Sequence, residues 1–88
     1  MIIGAQIRAA RALLNWSASE VADKFGSTRN TIQRLEQTEG VPSTKLQTIL
    51  ELKSAFEDAG VEFIGTPEDG PGVRLRSRKI QHNLESSE

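Results

Sequence analysis

The 88-residue sequence predicts a mainly α-helical fold: four helices followed by a short carboxy-terminal β-hairpin. Three observations predict it. Apolar residues recur at helical spacing through residues 1–60, Gly26 separates two short helical patterns, and the hydrophobic period changes from helical to alternating at Val61. We therefore divide the chain into a helical domain over residues 1–60, a hairpin over 61–76 and a flexible polar tail over 77–88.

The first helix is predicted over about residues 5–14, where Ile7, Ala10 and Leu14 share one apolar face. Trp16 follows it directly. A tryptophan can stack on a cofactor, but a single tryptophan between two helices is far more often a core residue. We assign Trp16 to the core.

The second helix is predicted to begin after Ser17. The Ser17 hydroxyl can cap the helix, and Glu20, three residues later, can bond the amide of the capping residue in a capping box. Val21, Ala22 and Phe25 then recur at helical spacing. Because Ala22 is small, another helix can cross close above it.

A sharp turn and a third helix are predicted next. Gly26 suits a left-handed backbone because it lacks a Cβ atom, and Thr28 is the next good helix cap. Ile32 and Leu35 lie on one face of the third helix. The remaining surface carries Arg29, Asn30, Gln33 and Arg34. Such a row is either an ordinary solvated helix face or a set of groups that read DNA, and the spacing of the apolar residues around the turn favours the second.

The fourth helix is predicted over about residues 44–59, after Gly40 and Pro42 interrupt the chain, with Ser43 as its cap and Gly60 at its end. Its apolar stripe is too wide for one thin core, so part of it is expected to face a partner or the following strands. The stripe consists of Leu46, Ile49, Leu50, Leu52, Phe56 and Ala59.

Two antiparallel strands are predicted at residues 61–64 and 73–76, where apolar and polar residues approximately alternate, with the turn-forming residues 65–72 between them. A two-stranded sheet is marginal in water and has open edges, so a second subunit is expected to complete it. In the tail, His82 is expected to be solvated rather than a metal ligand or a catalytic base.

Residues 17–35 resemble the helix-turn-helix of the phage repressor and Cro (Xre) family of bacterial and phage transcription factors. The order of helices through residues 6–60 follows that family, and small stand-alone members carry runs similar to residues 59–64 and 70–76. The resemblance covers roughly residues 2–76. It implies a four-helix repressor-like domain that binds double-stranded DNA in a sequence-specific manner.

The resemblance also implies an ion pair between Arg11 and Glu36, which occupy the places of a partly buried pair in many members. Two positions differ from the usual pattern. Many relatives have a phosphate-binding glutamine where this chain has Ala18, and an apolar residue under the turn where this chain has Ser27. Neighbouring serine hydroxyls are therefore expected to take the phosphate contact.

The expected site residues fall into four groups. Base reading is assigned to Arg29, Asn30, Gln33 and Arg34. Contacts with DNA phosphates are assigned to Ser17, Ser19, Thr28 and Thr31. The core of the motif is assigned to Val21, Ala22, Phe25, Gly26, Ile32 and Leu35. Dimerisation is assigned to Val61, Phe63, Ile64, Val73 and Leu75.

Length and composition fit one small domain. A chain of this size buries only about 60 to 65% of its unfolded surface, so a partner subunit would add stability. The absence of cysteine excludes disulfides and thiolate metal sites and is compatible with a reducing compartment. No stretch is apolar enough to span a membrane and residues 1–6 lack the features of a secretion signal, so we expect a cytoplasmic protein without a membrane partner.

The net charge of −1 is unevenly distributed. Residues 1–38 carry a formal charge of +2, residues 39–70 carry −5, and residues 71–88 carry +2. Because an acidic middle repels phosphates, DNA is expected to approach with that part of the chain turned away.

Catalytic patterns are missing from the sequence. It has no glycine-rich phosphate loop followed by Lys-Ser or Lys-Thr, no cluster of metal ligands, and no histidine-assisted nucleophile, and Gly70-Pro71-Gly72 is turn-forming. We expect no enzymatic activity, no cofactor and no metal.

Two binding functions remain. The chain is either a regulator that occupies an operator as a two-fold dimer, or a protein-interaction module such as an antitoxin or co-regulator, whose strand edge or basic tail binds another protein. No ligand-sensing domain is visible, so any signal is expected to act through abundance, proteolysis or a partner.

Overall fold

A computed structural model describes residues 1–76, and the tail over 77–88, with His82, lies outside the described residues. Within residues 1–76, four helices precede one antiparallel hairpin, which confirms the predicted mainly α fold class. The elements are α1 (Gly4–Leu13), α2 (Ala18–Phe25), α3 (Arg29–Gln37), α4 (Leu46–Asp58), β1 (Val61–Thr66) and β2 (Asp69–Leu75). Within residues 1–76, no helix is long and apolar enough to cross a membrane.

The start of α2 has the predicted capping box. The Ser17 Oγ accepts the Glu20 N–H at 3.0 Å, and the Glu20 carboxylate accepts the Ser17 N–H at 2.7 Å. These two bonds satisfy backbone donors that a helix terminus otherwise leaves without partners. The position where α2 begins is therefore determined locally.

The turn between α2 and α3 also depends on local bonds. Gly26 ends α2 in the left-handed region with φ 63°, and the next N–H, that of Ser27, donates to the Ala22 carbonyl at 2.8 Å. Thr28 then caps α3, since its Oγ1 accepts the Thr31 N–H at 3.2 Å. The two helices are thus joined by the short turn that the sequence predicts.

One hydrophobic core joins the helices and the hairpin. Ile2, which precedes α1 and was not assigned a role from the sequence, is only 1% exposed. The buried core consists of Ile2, Ile7, Ala10, Leu14, Ala18, Val21, Ala22, Ile32, Leu35, Ile49, Leu52, Phe56 and Val61.

Aromatic rings connect the start of α2 to the hairpin. Trp16 is half-buried at the margin of the core and stacks on Phe56 of α4, with ring centroids 5.8 Å apart. Phe56 in turn meets Phe63 of β1 edge to face at 6.1 Å. Trp16 therefore packs against core residues, as its position between two helices suggests.

The predicted start of α4 is wrong. The helix begins at Leu46, and its cap is Lys45, whose side chain makes no capping bond, so Ser43 does not cap it. The reason lies in Pro42, which is buried and whose carbonyl accepts the Thr44 N–H at 3.1 Å. That short turn keeps the chain out of helical conformation until Lys45.

The predicted eight-residue link of the hairpin is also wrong, because both strands extend through most of it. Thr66 pairs with Asp69, which leaves only two residues in the turn, and the register shifts between Ile64 and Thr66. Gly65 and Gly70 have φ values of 76° and 65°, which residues with a Cβ rarely adopt. These glycines let the strands continue through a bulge where the composition indicates a loop.

The hairpin packs on helices of its own chain. Val61 is only 2% exposed, and three further residues that were assigned to dimerisation, Phe63, Val73 and Leu75, are half-buried against the core. Of the five residues in that group, only Ile64, at 38%, is substantially exposed. Most of the apolar surface of the hairpin is therefore covered within one chain.

A buried glutamine clamps the hairpin to α1. Gln6 is 3% exposed, and its Nε2 donates to the carbonyls of Ile64 at 3.2 Å and Gly72 at 2.9 Å. These two residues lie opposite one another on β1 and β2. The Gln6 Oε1 accepts the Ile3 N–H at 2.9 Å. One side chain thus holds the start of α1 and both strands.

Replacing Gln6 by Ala should lower the free energy of unfolding by about 1 to 3 kcal/mol, because buried hydrogen-bonding groups lose their partners. The matched control is Gln47→Ala, which removes an exposed glutamine on α4 that bonds Glu51, and it should change stability by less than about 0.5 kcal/mol. Urea unfolding at one chain concentration, followed by Trp16 fluorescence, measures both. Equal small losses would show that the clamp does not stabilise the fold.

Candidate nucleic-acid interface

Helix α3 buries one face and exposes the other. Ile32 and Leu35 are 2% and 1% exposed and lie in the core. Of the residues assigned to base reading, Gln33 is half-buried and the other three are exposed: Arg29, Asn30 and Arg34. Within residues 1–76, none of these four side chains has a hydrogen-bond or ion-pair partner. Their donors and acceptors are therefore free to meet a ligand.

The hydroxyls assigned to phosphate contacts differ in what they already bind. The Ser17 oxygen accepts the Glu20 amide, and the Thr28 hydroxyl donates to the Thr31 Oγ1 at 3.0 Å. Thr28 therefore uses its hydroxyl hydrogen inside the chain, whereas the hydrogens of Ser17 and Thr31 remain available. Ser19 is exposed and has no hydrogen-bond partner in the described part of the chain.

An ion pair joins α1 to the last turn of α3. The Arg11 Nε donates to one Glu36 carboxylate oxygen at 2.6 Å, and its second guanidinium nitrogen, Nη2, donates to the other oxygen at 3.0 Å. Arg11 also donates through Nη1 to the Trp16 carbonyl at 3.1 Å. The hydrogen bond to Glu36 raises the pKa of Arg11 above its ordinary value. The pair has the two-pronged geometry typical of strong guanidinium–carboxylate contacts.

Two further features hold the carboxy-terminal end of α3, and neither was identified from the sequence. A Cβ atom at Gly4 would lie 2.6 Å from the Thr38 carbonyl and 2.8 Å from the Glu36 carbonyl, so α1 approaches α3 as closely as only glycine permits. The Thr38 hydroxyl donates to the Arg34 carbonyl at 2.8 Å. A helix-starting glycine and a helix-ending threonine carry little signal in isolation.

The basic residues at the end of the hairpin are not a free cationic patch. Glu62 accepts hydrogen bonds from Arg74, at 2.9 and 2.7 Å, and from Arg76 at 3.0 Å. These bonds, first that of Arg74 and then that of Arg76, lower the pKa of Glu62. On α2, the Lys24 ammonium lies 4.7 Å from the centre of the Trp16 ring. The unpaired arginines of α3 are therefore the cations best placed to attract an anion to the exposed face of that helix.

Comparison with known families agrees with this geometry. The sequence model of the HTH_3 family, described as "Helix-turn-helix", matches residues 7–51, just over half of the chain. The match begins in α1 and ends within α4, so it includes the Arg11–Glu36 pair and both capped helices. No curated protein and no solved structure matches the chain.

The two halves of the ion pair should respond unequally to mutation. The Glu36 side chain is 5% exposed and that of Arg11 is 24% exposed. Arg11→Ala strands a buried carboxylate and should cost about 3 to 5 kcal/mol of unfolding free energy. Glu36→Ala leaves an arginine that still reaches water and the Trp16 carbonyl, so we expect a loss of about 1 to 3 kcal/mol.

The matched control is Lys53→Ala, which removes the exposed pair of Lys53 with Glu57 on α4 and should cost no more than about 0.5 kcal/mol. Urea unfolding at neutral pH ranks the three variants. A loss for Arg11→Ala no larger than that of the control would contradict the buried-pair interpretation.

Proposed function

The chain belongs to the HTH_3 helix-turn-helix family of DNA-binding regulators, of the phage repressor and Cro (Xre) type, and we propose that it occupies a DNA operator as a homodimer. In this proposal, α3 enters the major groove and reads one half-site, and the second subunit reads the other. Occupancy of the operator is itself the regulatory act.

The observation that carries the proposal is the state of the polar side chains on α3. Four side chains able to bind base edges lie on a helix whose opposite face is buried, and none of them has a hydrogen-bond or ion-pair partner among residues 1–76. Arg29 and Asn30 stand in the first turn, directly after the Thr28 cap. The amino-terminal turn of a recognition helix is the part that meets base edges in this motif.

The charge distribution supports one direction of approach. The acidic stretch over residues 39–70 forms the connection to α4, α4 itself and most of the hairpin, and none of it belongs to α2 or α3. DNA that meets α3 along its exposed face thus meets Arg29 and Arg34 first. Ser17, Ser19 and Thr31 are the proposed phosphate contacts that set the position of α3 on the duplex.

The donor and acceptor groups of each base-reading side chain predict which base it prefers. Arginine binds guanine and asparagine or glutamine binds adenine through two hydrogen bonds, and each such pair discriminates by roughly 1 to 3 kcal/mol. We expect Gln33→Ala to relax the preference at one or two base positions in each half-site. Selection of bound sites from a random DNA pool, repeated for the Ala variants of Arg29, Asn30 and Gln33, measures this.

The control for base reading is Gln47→Ala on α4, which should leave the selected sequence unchanged. A selected sequence that is the same for the wild type and for all three α3 variants would contradict the assignment of these residues as base readers. Uniformly weaker binding with an unchanged preference would assign them to phosphates instead.

The surface proposed for the dimer combines the outer stripe of α4 with the hairpin. On α4, Leu46 is 57% and Leu50 is 50% exposed, and on β1 the exposed apolar residue is Ile64. Helix α4 and β1 pack against each other, so these residues belong to neighbouring elements. A two-fold pair would place two recognition helices roughly 34 Å apart, one turn of DNA, which a single domain cannot do.

Charged substitutions at exposed positions test the dimer without removing core residues. We expect the wild-type chain to sediment as a dimer at tens of micromolar, and Leu50→Lys and Ile64→Lys each to shift it towards monomer, since a buried unpaired charge is costly. Val41→Lys is the matched control, because Val41 is as exposed as Ile64, both at 38%, and lies outside the proposed interface.

A wild-type chain that is monomeric at these concentrations would overturn the homodimer. Equal dissociation by all three lysine variants would reject the proposed location of the interface but not the proposal that the wild-type chain is a dimer. Truncation at Gly60 is a poor test, because it removes Val61 from the core.

A further inference from the structure

An open groove lies between the start of α1 and the end of α3. Arg8 of α1 lines one side of it, and the other side includes Glu36 and Gln37 of α3 and Glu39, which follows that helix. Arg8, Gln37 and Glu39 are exposed to solvent. None of these three residues was assigned a role from the sequence.

Close packing of α1 on α3 fixes the walls of this groove. Gly4 permits the approach, because a Cβ atom there would lie 2.6 Å from the Thr38 carbonyl. Arg8 and Arg11 stand three residues apart, so they share one face of α1. Arg11 uses that face to bind Glu36 of α3. Arg8 therefore lies on a part of α1 whose position against α3 is fixed on both sides.

Gln37 continues the exposed face of the recognition helix into the groove. Over the seven residues from Asn30 to Gln37, an α-helix turns by about 700°, close to two full turns, and rises about 10.5 Å. The two side chains therefore lie on the same side of α3. Gln37 has no hydrogen-bond partner in the described part of the chain. The stripe that begins at Asn30 thus ends beside the groove that Arg8 lines.

Arg8 is a free cation. Arg11 occupies both carboxylate oxygens of Glu36. Arg8 forms no ion pair with Glu36 or Glu39, or with any other residue of 1–76. The partial negative charge at the carboxy-terminal end of α3 favours a cation at this place. It leaves the N–H donors of the guanidinium available to an external acceptor.

The dimensions of DNA indicate what that acceptor is. The major groove is about 12 Å wide and is bounded by the two phosphate backbones. When Asn30 meets base edges, a side chain about 10.5 Å farther along the same face of α3 lies at the wall of the groove. Phosphates line that wall, and arginine and glutamine are both common phosphate ligands.

We propose that Arg8 and Gln37 together bind one phosphate of the DNA backbone. The Arg8 guanidinium supplies the positive charge, and the Gln37 amide donates a second hydrogen bond. The proposal rests on the proposed binding of DNA by α3 and adds a contact from α1, outside the two helices of the motif. The contact fixes the carboxy-terminal end of α3 on the duplex, whereas the base readers Arg29 and Asn30 fix the amino-terminal end.

Glu39 opposes this contact. Its exposed carboxylate lines the same groove and repels a phosphate held there. The two opposite charges in one groove give the proposal two tests of opposite sign. Removal of the Arg8 charge should weaken binding to DNA, and removal of the Glu39 charge should strengthen it.

The experiment measures binding of the full chain to two duplexes over a range of salt concentrations. One duplex carries the site that the wild type selects from a random pool, and the other has the same length and a scrambled sequence. We expect Arg8→Ala to weaken binding to both by a similar factor, about tenfold for each bound subunit. The slope of log affinity against log salt should fall by about 0.9 for each subunit, hence by about 1.8 for a dimer.

Three variants and one control accompany Arg8→Ala. Arg8→Lys keeps the charge and should keep the wild-type slope. Gln37→Ala should weaken binding to both duplexes about three- to tenfold without a change in slope. Glu39→Gln should strengthen it about two- to fivefold. Lys53→Ala removes a cation from α4, which makes little contact with α3, and should leave the slope unchanged. Urea midpoints establish that each variant is folded.

Several results would overturn the phosphate contact alone. In these results the wild type still selects a site, but the slope for Arg8→Ala is unchanged, or falls no more than that for Lys53→Ala, or Glu39→Gln weakens binding. A changed sequence preference in Arg8→Ala or Gln37→Ala would make the contact one with a base. A wild-type chain that selects no site at all would instead overturn the proposed function, and the contact with it.

Discussion

The ion pair between Arg11 and Glu36 is the constraint on which the orientation of the recognition helix depends. Helix α3 has only a narrow apolar face, and apolar contacts alone tolerate small rotations and shifts. A planar guanidinium bound through two hydrogen bonds tolerates far less, because both bonds require one geometry. The third bond, to the Trp16 carbonyl, ties the start of α2 to the same arginine. One side chain of α1 thus positions both helices of the DNA-binding motif.

Helix α1 also connects the motif to the hairpin. Gln6 clamps both strands near the amino-terminal end of α1, and Arg11 holds α3 and the Trp16 carbonyl near the carboxy-terminal end. Since Val61 lies in the same core as the helices, the hairpin and the motif form one packed unit. A partner that binds the hairpin would therefore contact the same packed unit that holds α3. This arrangement gives the proposed dimer surface a physical route to the recognition helix.

Local chemistry explains which parts of the fold were predictable from the sequence. The boundaries of α2 and α3 depend on Ser17, Gly26 and Thr28, whose bonds all involve residues within five positions along the chain. The start of α4 depends on the burial of Pro42 and its turn with Thr44, and the extent of the hairpin depends on strand pairing across the glycine-assisted bulge, and the spacing of apolar residues indicates neither. Gly4 and Gln6 were not identified from the sequence because each meets backbone that is distant along the chain. Without that backbone, a glycine predicts a break in a helix and a glutamine predicts a surface position. The base-reading and phosphate assignments remain predictions, since they concern contacts with DNA.

The small number of free positive charges on α3 supports the proposal of two subunits. Counterion release makes the affinity for DNA depend on the number of phosphates neutralised. In the described residues, Arg11 is bound to Glu36, and Arg74 and Arg76 share Glu62, so Arg29 and Arg34 are the cations of α3 that remain to neutralise phosphates. A single domain is then expected to bind DNA of arbitrary sequence only weakly. Weak general attraction is compatible with regulation when base contacts dominate, and a second half-site in the proposed dimer doubles those base contacts. The acidic middle of the chain is thus compatible with the proposed dimer, in which specific base contacts are made at two half-sites.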